Sequence, residues 1–398
     1  MSLSELKADD IVIAAASRTP LGGFQGDLSS LTAPDLGAAA IRALIEKTNL
    51  DIEKVDEVLM GNVLPAGLGQ APARQAALAA GLLESTPCTT VSKVCGSGMK
   101  AVMLAFDQIK AGTNDLVIAG GMESMSNAPY FLSKARSGMR LGHGEIKDHM
   151  FFDGLEDAYT GKAMGTFAQS KADEEELSRE AMDDYALESL KRANRAIVKG
   201  HFTEEITAID ITHKGSVTTV ENDEQPGKAR PEKIPTLKPV FQRDGTITAA
   251  NSSSISDGAA ALMIVSAAKA QELDLVPLAK ISGHATHAHL PGEFTTAPVQ
   301  SISKLLEKLN WSSDMVDLYE INEAFAMVTM LAIKKLNLDH MKVNVNGGAC
   351  ALGHPIGCSG ARILVTLLYA LKNLEKKRGV ASLCIGGGEA TSIAIEML

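Results

Sequence analysis

The pattern of apolar and polar positions occurs twice along the chain. "VDEVLMGNV" at 55–63 precedes "CGSGMKAVMLAFDQIKAGTNDLVIAGGMES" at 95–124, and "VDLYEINEA" at 316–324 precedes "GCSGARILVTLLYALKNLEKKRGVASLCIGGGEAT" at 357–391. Each copy has the order short strand, Ser-Gly turn, helix with apolar spacing, and apolar strand ending in glycine. The sequence therefore predicts two similar α/β units.

Three helices are predicted with some detail. The first covers 98–110, has one apolar face and ends before Gly112. Its counterpart at 361–374 is apolar almost all round, so we expect it to be buried between layers. The third covers 178–199, with Ser178 as N-cap and Gly200 after its end, in a more charged stretch. We expect an insertion (loop) domain at 125–250 between a first half at 1–124, completed by strands at 251–277, and a second half at 278–398.

Composition limits the classes of function. A chain of 398 residues is expected to form two or three packed units. Its formal charge of −10 and its aromatic content of 4% disfavour nucleic acid and anionic membranes as partners. The first ten residues do not resemble a targeting signal, and no apolar run approaches the roughly 20 residues that cross a bilayer. We therefore expect a soluble cytoplasmic protein that binds neither nucleic acid nor membrane.

The glycine-rich turns carry residues that suit nucleophilic chemistry. Cys95 precedes Gly-Ser-Gly at a predicted helix start, His354 lies between Gly353 and Pro355, Cys384 ends the last apolar run, and Asn322 follows the repeated short strand. A cysteine alone is more often an inert core residue. At a helix start, however, the dipole favours its thiolate, and a nearby histidine can accept its proton. If the two halves pack about a pseudo-twofold axis, these four side chains converge on one pocket.

The chain resembles the thiolases, the acyl-CoA C-acyltransferases, over essentially its whole length. The resemblance is carried by "RTPLGGFQGDL", "VCGSGMKA", "IAGGMESMSNAPY", "NSSSISDGAAA", "NEAFA", "NGGACALGHPIGCSGAR" and "CIGGGEA". It implies the thiolase fold, an α/β architecture whose two duplicated halves form a layered αβαβα core with an inserted loop domain. It also implies that substrates are coenzyme A thioesters and that no cofactor is bound permanently.

The resemblance further assigns roles to the candidate residues. Cys95 is implied as the acylated nucleophile, His354 as its activator, and Cys384 as the base that removes a proton from the acetyl-CoA methyl group. Asn322 is implied to hold a water in an oxyanion hole shared with His354. The backbone N–H groups of Cys95 and Gly386 are implied as a second hole for the acyl-enzyme carbonyl.

The substrate pocket is assigned from the same resemblance. Ser253 is expected at the pantetheine arm of coenzyme A. Ala163 occupies a position where short-chain members have histidine, and Phe294 one where a methionine commonly lines the acyl pocket. Lys228 and Arg230 are candidates for the nucleotide phosphates, with solvated loop charges as the equal alternative. The residues assigned to coenzyme A are Ser253, Met164, Lys228, Arg230, Ala324 and Phe325.

The predicted activity is that of an acetyl-CoA C-acetyltransferase, which joins two acetyl-CoA into acetoacetyl-CoA and CoA. One alternative is a broader-chain 3-ketoacyl-CoA thiolase of fatty-acid β-oxidation, and another is a non-catalytic thiolase-like lipid-carrier or scaffold protein. A ketosynthase is disfavoured because that related family has a second histidine where Asn322 stands.

Three further expectations concern partners and the remaining candidates. A homo-oligomer, dimer or tetramer, is predicted from the resemblance and from the mixed apolar and basic segment at 124–142. The histidines of "GHATHAHLPG" match no common zinc spacing, so no metal is expected. The five cysteines are an odd number without a Cys-x-x-Cys pair, which predicts reduced thiols, and Cys88, Cys350 and Cys358 are assigned to packing.

Overall fold

Two sets of strands meet edge to edge in one ten-stranded mixed sheet. The computed structural model describes residues 6–398. Its strands are β1 Ile11–Arg18, β2 Gly22–Gly23, β3 Glu57–Gly61, β4 Cys88–Val91, β5 Leu116–Ser124, β6 Tyr130–Phe131, β7 Lys147–Asp148, β8 Ile209–His213, β9 Ser216–Val220, β10 Ser256–Ser266, β11 Ala279–Ala288, β12 Leu318–Ile321, β13 Arg378–Ile385 and β14 Glu389–Met397.

The strand order shows the duplication directly. The main sheet runs β12-β13-β14-β11-β1-β10-β5-β3-β4, with β2 paired to β10. In the first half β3 is parallel to β5, and β5, β10 and β1 follow antiparallel. In the second half β12 is parallel to β13, and β13, β14 and β11 follow antiparallel. The halves join where β1 pairs with β11, so the two predicted similar units are confirmed.

The helices complete a layered architecture. They are α1 Ala33–Thr48, α2 Pro72–Ala79, α3 Ser97–Lys110, α4 Met164–Glu174, α5 Arg179–Val198, α6 Glu224–Lys228, α7 Ala267–Glu272, α8 Ala297–Leu309, α9 Ala326–Leu336, α10 Ala349–Leu352 and α11 Ser359–Asn373. Helices α3 and α11 pack on each other and on strands of both halves. Helices α1 and α2 pack on the first half, and α8 with α9 lies at the second. The predicted order αβαβα is therefore present.

The central helices follow from their sequences. Helix α11 is buried at every position from Ser359 to Leu371, as expected for a helix that is apolar almost all round. Helix α3 is one-sided and keeps an exposed edge, and its backbone ends before Gly112, whose φ is +75°. Helices α3 and α11 begin at Ser97 and Ser359, within two residues of the predicted starts at 98 and 361. The two starts face the centre of the molecule, where the candidate residues are.

The charged stretch between the halves folds mainly around α5. Ser178 caps this helix, since its Oγ accepts a hydrogen bond from the N–H of Ala181 at 3.1 Å. The buried guanidinium of Arg192 donates to the carbonyl oxygen of Val343 at 2.6 Å. Helix α5 is thereby attached to the second half, and it brings the rest of the stretch over the strand ends. Among residues 6–398, no helix combines the length and hydropathy that crossing a bilayer requires.

Candidate active site

Cys95 lies in a strained turn between β4 and α3. The residue before it, Val94, has a φ of +45°, which branched side chains rarely adopt. Ser97 fixes the turn, because its Oγ accepts from the N–H of Lys93 at 2.8 Å and donates to the carbonyl oxygen of Val94 at 2.7 Å. The turn holds the Cys95 thiol at the start of the central helix, facing the glycine turn of the second half.

Burial raises the pKa of the Cys95 thiol to about 11, although hydrogen bonds from the backbone N–H groups of Gly386 and of Cys95 itself oppose the rise. The thiol is therefore protonated in the free protein at neutral pH. A helix start alone does not supply the thiolate here, because apolar walls remove water from the sulfur. To act as a nucleophile, this thiol would need a base to take its proton.

His354 is a buried histidine whose orientation and tautomer are fixed. Its Nδ1 lies 2.5 Å from Oγ of Ser359, and that hydroxyl donates its own proton to the carbonyl oxygen of Pro355 at 2.9 Å. Nδ1 must therefore carry a hydrogen, and Nε2 has the free lone pair. Burial, with a contribution from the Arg362 charge, lowers the pKa of His354 to about 3. The imidazole is neutral and available as a base through Nε2.

Asn322 follows β12 and turns its amide toward the same histidine. Its backbone N–H donates to the carbonyl oxygen of Ser382 at 3.0 Å, and its Nδ2 lies 3.5 Å from Nε2 of His354. Within residues 6–398, its buried Oδ1 meets no hydrogen-bond partner. A buried acceptor in this state is a place for a hydrogen-bond donor such as a water. The amide of Asn322 and the imidazole of His354 therefore form a polar group beside each other.

Cys384 and Gly386 stand at the end of β13, opposite the Cys95 turn. The Cys384 side chain is almost fully buried. Burial raises the pKa of its thiol well above the ordinary value, and the nearby Cys95 adds to the rise. A Cβ on Gly386 would meet Val94 and Met164 at ordinary van der Waals distances. The second thiol is therefore also protonated at rest and lies within electrostatic reach of the first.

These groups share one largely apolar cavity of about 420 Å³, a size typical of small-molecule sites. Ten of the residues discussed from the sequence line it: Cys95, His354, Cys384, Gly386, Ser253, Met164, Ala324, Phe325, Ala163 and Phe294. The sequence patterns did not single out the other lining residues, which are Phe151, Gly154, Leu155, Gly165, Val240, Phe241, Ala249, Ser252, Ser254, Ile255 and Ile356. Asn322 joins the group through its contact with His354.

Lys228 and Arg230 lie elsewhere. Of the residues that the structure describes, those lining the cavity include neither of them. The Lys228 ammonium pairs with Glu224 and lies 3.3 Å from Oδ1 of Asp27. Since Oε2 of Glu224 also accepts from the N–H of Gly23 at 2.8 Å, Lys228 neutralises a carboxylate that closes a loop. A phosphate contact by either residue stays a prediction.

The remaining candidates have ordinary surroundings. Nε2 of His284 contacts Oδ1 of Asp107 at 2.9 Å, and the rings of His287 and His289 meet edge to face at 5.0 Å. The described chain gathers no three histidine, cysteine or acidic side chains in a metal-binding group. All five cysteines are free thiols in residues 6–398. Sγ of Cys350 lies 3.7 Å from the carbonyl oxygen of Glu323.

The sequence patterns did not identify Ser359 or the aromatic wall of the cavity, which is formed by Phe151 and Phe241. Ser359 stands in the second Ser-Gly turn at the position that Ser97 has in the first, so the repeat itself held a signal. Phe151 and Leu155 belong to a short π-helical turn in the charged stretch, and Phe241 comes from a loop of that stretch. Their surroundings have no periodic pattern that would assign them to a pocket.

Family models match nearly all of the described chain. The model of the thiolase N-terminal domain matches residues 11–268, and that of the thiolase C-terminal domain matches residues 275–397. The chain belongs to the thiolase family. Among curated thiolases, acetyl-CoA acetyltransferase 2 of Arabidopsis thaliana is 51% identical over 392 residues, covering 98% of this chain and 97% of its own. Acetyl-CoA acetyltransferase of Pseudomonas aeruginosa is 47% identical over 388 residues, covering 97% and 99%.

Solved thiolase structures confirm the predicted fold. Acat5 thiolase from Ascaris suum, in complex with coenzyme A, has a TM-score of 0.93 and 41% identity and covers 98% of this chain and 100% of its own. Acetyl-CoA acetyltransferase of Bacillus anthracis has a TM-score of 0.95 and 41% identity and covers 98% and 99%. This thiolase therefore has both duplicated halves and the stretch between them in the family arrangement.

Proposed function

We propose that this thiolase is an acetyl-CoA C-acetyltransferase, which condenses two acetyl-CoA into acetoacetyl-CoA and CoA and also runs the reverse cleavage. The observation that carries the proposal is the meeting of two thiols, one neutral histidine and one amide at a single apolar cavity. The names of the relatives support it, since the thiolases of Arabidopsis and Pseudomonas are acetyl-CoA acetyltransferases.

The first half-reaction uses Cys95 as nucleophile. Nε2 of His354 takes the thiol proton, and the thiolate sulfur attacks the thioester carbonyl of acetyl-CoA. The negative charge on the carbonyl oxygen is held by the N–H groups of Cys95 and Gly386. The tetrahedral adduct then expels the CoA sulfur, which takes the proton of the Cys384 thiol. An acetyl thioester on Cys95, an imidazolium and a Cys384 thiolate remain.

The second half-reaction uses that thiolate as base. Cys384 removes a proton from the methyl group of a second acetyl-CoA, and the enolate oxygen is stabilised by the His354 imidazolium and by a water on Asn322. The enolate carbon attacks the acetyl carbonyl on Cys95. This attack forms the carbon–carbon bond. Collapse of the adduct then breaks the bond to the Cys95 sulfur, which recovers its proton from His354. Every proton returns to its starting group, so the cycle needs no bound cofactor.

Aromatic packing at the acyl end supports a short substrate. Phe294 is buried, and its ring centroid lies 6.4 Å from that of Phe325, which in turn lies 6.2 Å from the Phe241 ring. These rings occupy space that a longer chain would need. Ala163, which lines the cavity where short-chain members have histidine, favours the second candidate, a broader 3-ketoacyl-CoA thiolase of fatty-acid metabolism.

Kinetics of CoA-dependent cleavage decide between the two activities. We expect kcat/KM to fall at least about tenfold between the C4 and C10 3-ketoacyl-CoA substrates, because the six additional methylenes would have to displace the buried Phe294 ring. In Phe294→Ala the C10 substrate should gain relative to C4. Equal efficiency of the parent at C4 and C10 would instead support the broader thiolase. A non-catalytic carrier or scaffold would show no Cys95-dependent thioester exchange with any acyl-CoA.

Further proposals concern substrate contacts, assembly and location. We propose that Ser253, Met164, Ala324 and Phe325 contact the coenzyme A arm, since all four line the cavity. We propose a homo-oligomer, because apolar side chains in and next to the segment 124–142 are exposed, among them Leu141 at 90% and Ile146 at 69%. Sedimentation of a monomer alone at micromolar concentration would contradict this. A cytoplasmic location and the domain limits at 124, 250 and 277 are proposed with them.

A further inference from the structure

One ion pair joins the two catalytic turns. Lys93 lies two residues before Cys95, and Glu389 lies three residues after Gly386. The Nζ of Lys93 contacts Oε2 of Glu389, and the two side chains are 22% and 33% exposed. In the part of the chain that the structure describes, neither side chain has a second charged partner. The ion pair between the two turns therefore consists of these two charges alone.

The backbone at both ends of the pair is fixed. The N–H of Lys93 donates to Oγ of Ser97 at 2.8 Å, and its carbonyl oxygen accepts from the N–H of Gly96 at 3.0 Å. Glu389 begins β14 and is paired on both sides, with Ile385 of β13 and Ala288 of β11. An ion pair between residues whose backbone is fixed can hold two segments at a set distance. An ion pair between mobile side chains contributes little to stability.

The proposed oxyanion hole for the acyl-enzyme carbonyl depends on the relative position of the Cys95 turn and the Gly386 turn. Its two N–H groups belong to Cys95 in the first half and Gly386 in the second, so no single element sets their spacing. The turns already touch, since a Cβ on Gly96 would approach Cδ1 of Ile385 to 2.4 Å. The ion pair lies across the same junction.

We infer that Lys93 and Glu389 are positioning residues, whose ion pair holds the nucleophile turn against the glycine turn and sets the spacing of the two oxyanion donors. The inference rests on the proposed function and deepens it, because it names what aligns the two halves of that site. A pair acting through position requires opposite charges at the two sites and tolerates their exchange. A lysine acting directly on a substrate anion would not tolerate the exchange.

The test compares four proteins with the parent: Lys93→Met, Glu389→Gln, the double variant Lys93→Glu with Glu389→Lys, and the control Lys110→Met. Lys110 stands at the other end of α3 in an exposed ion pair with Asp9 at 2.5 Å. We expect each single catalytic-turn variant to lower kcat about threefold to tenfold with KM for acetyl-CoA within about twofold. The charge exchange should recover at least half of the parental kcat, and Lys110→Met should match the parent.

A second readout follows the nucleophile turn without turnover. The rate at which iodoacetamide alkylates Cys95 should change in both single variants and return toward the parental rate after the exchange. A double variant no faster than the slower single variant, or single variants within twofold of parental kcat, would overturn the inference. These results are distinct from failure of the proposed function, which would appear as a parent without acetoacetyl-CoA synthesis or cleavage.

Discussion

The two Ser-Gly turns occupy equivalent places in the duplicated halves and do different work. In the first, Oγ of Ser97 binds the backbone of Lys93 and Val94. In the second, Oγ of Ser359 binds the carbonyl oxygen of Pro355 and Nδ1 of His354. The same hydroxyl position fixes the main-chain turn under Cys95, the proposed nucleophile, in one half and the tautomer of His354, the proposed base, in the other.

The difference extends to the residue that begins each turn. Cys95 begins the first, and Gly357 begins the second and donates its N–H to the carboxylate of Glu123 at 2.8 Å. Glu123 also accepts from the N–H groups of Val63 and Leu64, so the first half holds the loop that carries the second half's histidine. The two halves therefore share a scaffold, and a carboxylate of the first half fixes the turn of the second half that follows His354.

The largest expected effect separates the two cysteines. Cys95→Ala should reduce turnover at least about a thousandfold and form no acetyl adduct, because the nucleophile is gone. Cys384→Ala should still accumulate an acetyl thioester on Cys95 but barely condense it. Intact-protein mass spectrometry with peptide mapping after mixing with acetyl-CoA measures both. An adduct on Cys384, or one that survives loss of Cys95, would reverse the assignment.

A prediction with a smaller effect tests whether Ser359 and Ser97 have different roles. Ser359→Ala removes the partner of Nδ1 in His354, so we expect kcat to fall about tenfold to a hundredfold. The loss of its two buried hydrogen bonds should also lower the free energy of unfolding by about 1–3 kcal/mol. Ser97→Ala removes two partly buried hydrogen bonds of the turn, which should lower the free energy of unfolding by about 1–2 kcal/mol. Steady-state kinetics and urea unfolding report the two effects. Ser359→Thr retains a hydroxyl and serves as control; equal losses of kcat in both alanine variants would contradict the division of work.

The smallest effect is a pH dependence of stability. The pKa of His354 is lowered to about 3 in the folded protein, so between that pH and about 6.5 the unfolded chain binds the extra proton. This contribution to stability is present above pH 6.5 and is lost as the pH falls. Relative to the parent, His354→Gln should gain about 1.4 kcal/mol of unfolding free energy between pH 7.5 and 5.5. Urea titrations at both pH values measure it, with the exposed His143→Gln as control; an equal change in both variants would refute it.

Much of the fold and part of the site follow from the sequence. The repeated pattern gave the two halves and the central helices, because a helix that is apolar all round has no place except between layers. It also placed Cys95, His354, Cys384 and Asn322 at strand or helix ends. The aromatic wall did not follow, since Phe151 and Phe241 reach the cavity through tertiary packing of an irregular stretch.

The protonation state of Cys95, the proposed nucleophile, could not be obtained from local sequence either. The helix start pointed to a thiolate at Cys95, but burial by residues distant in the chain outweighs the backbone hydrogen bonds from Gly386 and Cys95 and raises the pKa of the thiol to about 11. Burial is a property of the whole fold. The same reasoning explains why Ser359 gains its importance only when His354 is placed against it.

The pairing of β1 has a consequence for biosynthesis. Its residues 11–18 bond on one side to β10, at 256–266, and on the other to β11, which begins at Ala279. A ribosome must therefore add about 240 further residues before the first strand meets either neighbour, a wait of about 12 to 50 seconds at the usual 5–20 residues per second. Until then the nascent chain carries an apolar strand with two open edges. We expect nascent chains released before residue 256 to be bound by chaperones, and chains released after 288 to bury that strand.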